Sequence, residues 1–112
     1  MVSEKNFGEP ALDIQVCDVF HRSIELIGKR WSGAIVSVML KGSSRFGELR
    51  DAIPGISDRL LTERLKELED EGIVTREVTA TRPPQVSYEL TDKGRALGPI
   101  IDSVAAWGHD WK

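Results

Sequence analysis

A mainly helical domain carrying one small β-hairpin is the fold class this sequence predicts, on three observations. Residues 47–72 hold two short amphipathic segments joined by a Pro-Gly turn. After Gly72 the apolar period drops from about 3.6 residues to about 2, the change from helix to strand. Longer helical patterns flank this block at 13–28 and 92–111, each with its own row of apolar residues. A β-hairpin directly after a two-helix unit is the order of a winged helix-turn-helix, and that order is more specific than either part.

Each element follows from local chemistry. Residues 1–12 contain Gly8 and Pro10, show no period and read as a loose arm. Over 13–28, Ile14, Cys17, Phe20, Ile24 and Ile27 recur mostly three or four apart until Gly28. A second helix runs from Trp31 to Leu40, with Ala34, Ile35, Val38 and Met39 inward and Gly42 closing it. Residues 43–46 form a short connector with room for one extended residue pair.

In the central unit, 47–53 offers Leu49, Ala52 and Ile53 for burial, and Ile56 follows in the turn. Ser57 is an N-cap residue type, Asp58 suits the positive end of a helix, and Gly72 suits the left-handed position past its end. Leu61, Leu65 and Leu68, with Leu60 beside them, form one apolar stripe. At ~100° per residue, Arg59, Thr62, Glu63 and Lys66 lie on the opposite side.

Two alternating stretches, IVTREVT at 73–79 and VSYEL at 86–90, predict the strands. The linking ATRPPQ contains consecutive prolines, which rule out a two-residue turn and make a stiff, protruding tip. Thr91 can cap a last helix over 92–111 whose apolar positions include Leu97, Ile100, Ile101, Val104, Ala105 and Trp107. Gly98-Pro99 inside it should loosen or kink its first turns.

The chain has 112 residues, 40% hydrophobic and 29% charged, which fits a single globular domain over 1–112. It has no apolar run of membrane-spanning length, and its first residues lack the order of a signal peptide. One cysteine makes no internal disulfide, so a cytoplasmic setting without membrane partners is expected. The net charge of −3 hides an uneven distribution. Residues 1–28 carry −3, residues 29–66 carry +4 and residues 67–112 carry −4. The basic block coincides with most of the two-helix unit, as a polyanion-facing side requires.

A helix of this size fits a DNA major groove, with side chains from its N-terminal half at the base edges. Ser57 starts that surface. Arg59 suits guanine O6/N7, Thr62 a thymine methyl, Glu63 a cytosine amino group and Lys66 a phosphate. Glu63 can equally serve as an intrahelical partner of Lys66, and Arg64 lies at the edge of the apolar stripe with its stem over the core. The crowded Glu67, Glu69, Asp70 and Glu71 should repel phosphates, so contact belongs to 57–66. Arg82 at the wing tip suits a minor groove or phosphate, and Lys29, Arg30, Lys41 and Arg45 suit the backbone.

Blander readings stay open on these residues: an αα-hairpin with a solvated outer face, or a winged helix used only for protein–protein contact. Catalytic readings find no support, since there is no G-x-S-x-G elbow, phosphate-binding glycine loop or zinc-type cysteine pair. Cys17 and His21, four apart on one helix, are too few ligands for a metal site; no metal or cofactor is expected, and a buried helical thiol is the simpler description of Cys17.

Residues 17–107 resemble the HxlR-type winged helix regulators, relatives of the MarR group. The matching pieces are Cys17 ahead of I-E-L-I-G, G-K-R-W at 28–31, R-F-G-E-L-R at 45–50 and P-G-I-S-D-R-L-L-T-E-R-L-K-E-L-E at 54–69. E-G-I-V at 71–74, R-P-P-Q-V-S-Y-E-L-T at 82–91 and K-G at 93–94 complete them. The family commonly has proline after the cysteine, where this chain has Asp18. The resemblance implies a homodimeric prokaryotic transcriptional regulator, joined through its N- and C-terminal helices, on a pseudo-palindromic duplex operator. It also implies an effector in some members, with oxidants or electrophiles sensed through the cysteine matching Cys17. Trp107 and Trp111 add independent support for the dimer, because the last helix carries more apolar surface than one small domain needs.

Overall fold

The computed structural model describes residues 17–42 and 45–112. Along them run α1 (Asp18–Gly28), α2 (Ser32–Leu40), α3 (Phe46–Ala52), α4 (Asp58–Asp70), β1 (Val74–Val78), β2 (Val86–Leu90), α5 (Asp92–Arg95) and α6 (Gly98–Trp111). The expected arm at 1–12, the first turn expected at 13–16 and half of the 43–46 connector lie outside the described residues. The architecture is the expected winged helix-turn-helix, mainly α with one antiparallel hairpin.

The core sits where α2, α3, α4 and the hairpin converge. Leu61, Leu65 and Leu68 of α4 are almost fully buried against Ile35 and Val36 of α2, Leu49 of α3, and Ile73, Val74, Tyr88 and Leu90 of the hairpin. Burying each leucine contributes about 1.5–3 kcal/mol, so this stripe fixes the rotation of α4 about its axis. The Ser57 hydroxyl accepts a hydrogen bond from Leu60 N at 3.1 Å and starts the helix, and Gly72 at φ +75° ends it. Gly55, at φ +90°, makes the turn between α3 and α4.

The expected inward sets of α2 and α3 need correction. In α2, Val36 and Ser32 are buried and Ala34 is exposed, with Val38 half-buried. SGAIVSVML is apolar nearly all round, so its spacing carries no information about which side faces in. Trp31 does not open α2 as expected; it precedes it in the left-handed region, φ +80°, half-buried under the Arg30 guanidinium at 4.8 Å from its ring centroid. In α3, Leu49 and the following Ile53 and Ile56 are buried, whereas Ala52 faces solvent.

The hairpin pairs Val74 with Leu90, Arg76 with Tyr88 and Val78 with Val86. Arg45 adds an antiparallel bridge to Ser87, the single extended pair expected of the connector. The loop at 79–85 is tied by Thr79: its N–H donates to the Gln85 carbonyl at 2.9 Å and its hydroxyl accepts from Gln85 N at 2.9 Å. The Arg82–Pro83 peptide is cis.

The helix expected over 92–111 divides into α5 and α6. Pro99 lacks the N–H that would bond back to Arg95, so the ladder breaks there and Pro99 sits in the first turn of α6. Thr91 joins this end of the chain to α4. Its hydroxyl donates to the Gly72 carbonyl at 2.5 Å and accepts from Gly94 N at 3.1 Å, while Lys93 Nζ donates to the Glu71 carbonyl at 2.7 Å. Gly94 is buried here because a Cβ would overlap the Ile73 carbonyl oxygen.

Gly94→Ala should therefore destabilise the fold by about 1–3 kcal/mol, an overpacking cost, measured as a lower urea midpoint at unchanged slope. An unchanged midpoint would show that the junction has room to spare.

Candidate nucleic-acid interface

With the leucine stripe turned inward, α4 presents Arg59, Thr62, Glu63 and Lys66 to solvent on its outer side, as their spacing requires. The Arg59 side chain is 83% exposed, with Nε 3.7 Å from Glu63 Oε2. Glu63 thus pairs with Arg59 rather than with Lys66. Lys66 Nζ lies 2.8 Å from Asp70 Oδ1, and that hydrogen bond raises the lysine pKa. The Thr62 hydroxyl donates to the Asp58 carbonyl at 2.8 Å, which leaves it no proton to donate elsewhere but keeps its two acceptor lone pairs. Ser57 is engaged as the cap of the same helix.

Arg64 takes the other side, as expected. Its side chain is 14% exposed, Nε donates to the Arg30 carbonyl at 3.0 Å, and a terminal nitrogen lies 3.6 Å from Glu67. Lys29 also joins Glu67, at 2.9 Å. That places its ammonium beside the residue that follows Lys66, at the far end of the 57–66 stretch. Arg45 stands at the N-cap of α3 beside the wing, Arg82 at the exposed loop, and Lys41 past the end of α2. Arg50 links α3 to the start of α4 through Asp58 at 3.5 Å.

Two residues near this surface escape sequence reasoning. Arg76 and Gln85 line an open cleft of about 510 Å³ with Arg45, Thr62 and Tyr88. The signal for Arg76 is its phase: it occupies the same side of β1 as Val74 and Val78.

Cys17 is not the buried helical thiol that its spacing suggested. α1 starts at Asp18, so Cys17 is its exposed N-cap residue, and the backbone N–H groups of Phe20 and then Val19 lower its pKa by favouring the thiolate. His21 Nε2 lies 3.6 Å from Glu25 Oε1 on the same helix. Among the described residues no group of His, Cys, Asp or Glu side chains is placed to hold a metal ion, and no helix is long and apolar enough to cross a membrane.

Apart from Leu40 of α2 and Val78 of the wing, the exposed large apolar side chains of the described residues lie on the flanking helices. Val19, Phe20 and Ile24 of α1 and Ile100, Val104, Trp107 and Trp111 of α6 are 46–77% exposed.

A helix-turn-helix with a polar outer stripe, followed by a wing, is the DNA-binding domain of a winged helix transcriptional regulator. The chain belongs to the HxlR-like helix-turn-helix family, whose model matches residues 26–112. It is 44% identical over 96 residues to the HTH-type transcriptional regulator YodB of Bacillus subtilis (strain 168), covering 86% of each chain. It is also 44% identical over 97 residues to the uncharacterized HTH-type transcriptional regulator YvaP of that organism, covering 87% of this chain and 90% of YvaP. Among solved structures, the reduced form of YodB superposes with a TM-score of 0.76 at 41% identity, over 87% of this chain and 95% of the other. The redox regulator HypR in its reduced form gives 0.78 at 41% identity, over 83% and 92%. The family is one of transcriptional regulators rather than enzymes.

Proposed function

We propose that this regulator binds a pseudo-palindromic duplex as a homodimer, with α4 of each copy in a major groove and each wing on the neighbouring minor groove and backbone. The outer stripe of α4 supports the reading: Arg59 and Thr62 are exposed on it, and four of the six acidic residues of 57–71 lie beyond Lys66. Arg59 suits guanine, Thr62 a thymine methyl and Glu63 a cytosine amino group. Lys66, Arg45 and Arg82 take phosphates or the minor groove. Lys29, half-exposed beside Glu67, can turn to the backbone at the far end of this surface.

Arg59→Ala should weaken binding to a duplex selected from a genomic pool by about 5–150-fold, the range of a lost bidentate base contact. Lys66→Ala should weaken all duplexes alike and lower the salt slope by about 0.9. Anisotropy titrations at two salt concentrations read both. Unchanged affinity in the two variants would remove this face from the interface, and retention of no duplex at low salt would favour a protein-contact role.

The homodimer rests on the exposed apolar residues of α1 and α6, too many for a small monomer's surface. Val104→Asp should convert a species of two chains into one of a single chain by light scattering. A variant that stays dimeric would exclude this side of α6, and a monomeric wild type would exclude the dimer.

A second reading has its own observation: an exposed thiol of lowered pKa at the start of α1. Solved relatives include HypR in its oxidized form and the quinone-bound YodB. In this reading Cys17 senses an oxidant or electrophile and changes DNA affinity. Treatment with an oxidant should alter binding by the wild type and leave Cys17→Ser unaffected; an equal response in both would exclude Cys17 as the sensor.

A further inference from the structure

Strand β1 carries an arginine where its neighbours call for an apolar residue. Val74, Arg76 and Val78 share one side of the hairpin with their cross-strand partners Leu90, Tyr88 and Val86. Val74, Tyr88 and Leu90 on that side are buried in the core. The other side holds Thr75, Glu77, Ser87 and Glu89, which border a separate shallow depression. The hairpin therefore separates its charges, carboxylates on one side and Arg76 on the other.

Arg76 lines the cleft between the outer side of α4, represented by Thr62, and the wing, with Gln85 and Arg45 also on its walls. Six cations elsewhere on the domain are matched: Lys29, Arg50, Arg59, Arg64, Lys66 and Arg95 each lie within 4.0 Å of a carboxylate. Among the described residues, Arg45 and Arg76, both on the walls of this cleft, form no such pair, and neither do Arg22, Arg30, Lys41, Arg82, Lys93 and Lys112, none of which lines it. In a chain with 18 acidic residues against 15 basic ones, two unmatched arginines lining one cleft, with no carboxylate among its walls, mark a site for an external anion.

The geometry of a duplex says which anion. One sugar–phosphate strand separates each major groove from the next minor groove. A domain with α4 in the first and its wing at the second must straddle that strand, and the cleft is the space between the two. We propose that this cleft is a phosphodiester seat, in which Arg76 and Arg45 hold the DNA backbone strand that runs between α4 and the wing. The Gln85 amide is a further donor at its edge, whereas the Thr62 hydroxyl, already donated to Asp58, bounds the seat without donating to the phosphate. The seat rests on the proposed DNA reading of α4 and the wing. It gives the hairpin a task separate from base recognition: fixing the register and depth of α4.

The test compares wild type, Arg76→Gln, Arg76→Lys and Arg59→Ala on a selected duplex and on an unrelated one, by anisotropy across a salt series. Arg76→Gln should lose about tenfold in affinity at low salt on both duplexes, with a salt slope lower by about 0.9, and Arg76→Lys should keep most of both. Single methylphosphonates scanned along the selected duplex should weaken wild type most at the phosphate between the two grooves, and affect Arg76→Gln little there. The scan on wild type decides the matter even if Arg76→Gln fails to fold. Wild-type affinity and slope in a folded Arg76→Gln, with Arg59→Ala impaired, would overturn the seat alone. A loss confined to the selected duplex, or a scan without an effect at that phosphate, would overturn it too. A wild type that binds neither duplex would overturn the DNA reading and the seat together.

Discussion

One buried stripe sets the orientation of everything that faces outward. Leu61, Leu65 and Leu68 take α4 into the core on one side, and a helix has no freedom to turn one side in without turning the other out. Rotating α4 by one residue, about 100°, would expose leucines worth about 1.5–3 kcal/mol each and bury charged groups without partners. The exposure of Arg59, Thr62, Glu63 and Lys66 is thus a consequence of apolar packing, not of any attraction among those side chains. Their own ion pairs, exposed and at helical spacing, add a few tenths of a kcal/mol each at most.

Packing sets the rotation of α4, and hydrogen bonds at its end set where the wing leaves it. The carbonyls of Glu71 and Gly72, just past its last turn, are taken by Lys93 and Thr91, which lie beyond the hairpin in sequence. The start of the wing and its return are fastened at the same place, and the close approach of Gly94 to Ile73 leaves no space for a side chain there. At the opposite side, Arg64 and Glu67 bind the α1–α2 elbow through Arg30 and Lys29. The wing and the α1–α2 elbow are therefore joined through α4. Its middle and end are structural, and its first turns are left for a partner.

The parts legible in the sequence are those decided within a few residues. The leucine stripe, the Ser57 and Thr91 caps, the left-handed Gly72 and the two alternating strands all lie where local chemistry puts them. Parts decided at long range were less legible. Nothing near Lys29 points to Glu67, 38 residues away, so it reads as a free cation. The apolar α2 has no period from which to infer that Val36 faces in and Ala34 out. The character of Cys17 depended on whether α1 starts before or after it; one residue separates a buried thiol from an exposed helix-end thiol of lowered pKa. Arg76 was hidden by its neighbours, because T-R-E reads as a polar run until the strand register shows its side.

The central claim is that this domain meets duplex DNA with the first turns of α4 and the wing, while the acidic end of α4 stands clear. Residue-by-residue amide NMR during titration with a selected duplex tests it most directly. The account predicts that the largest shifts fall at residues 57–66 and 79–85, with residues 69–72 nearly unmoved. Shifts concentrated on α1, α6 or the acidic turn, with 57–66 unmoved, would contradict it.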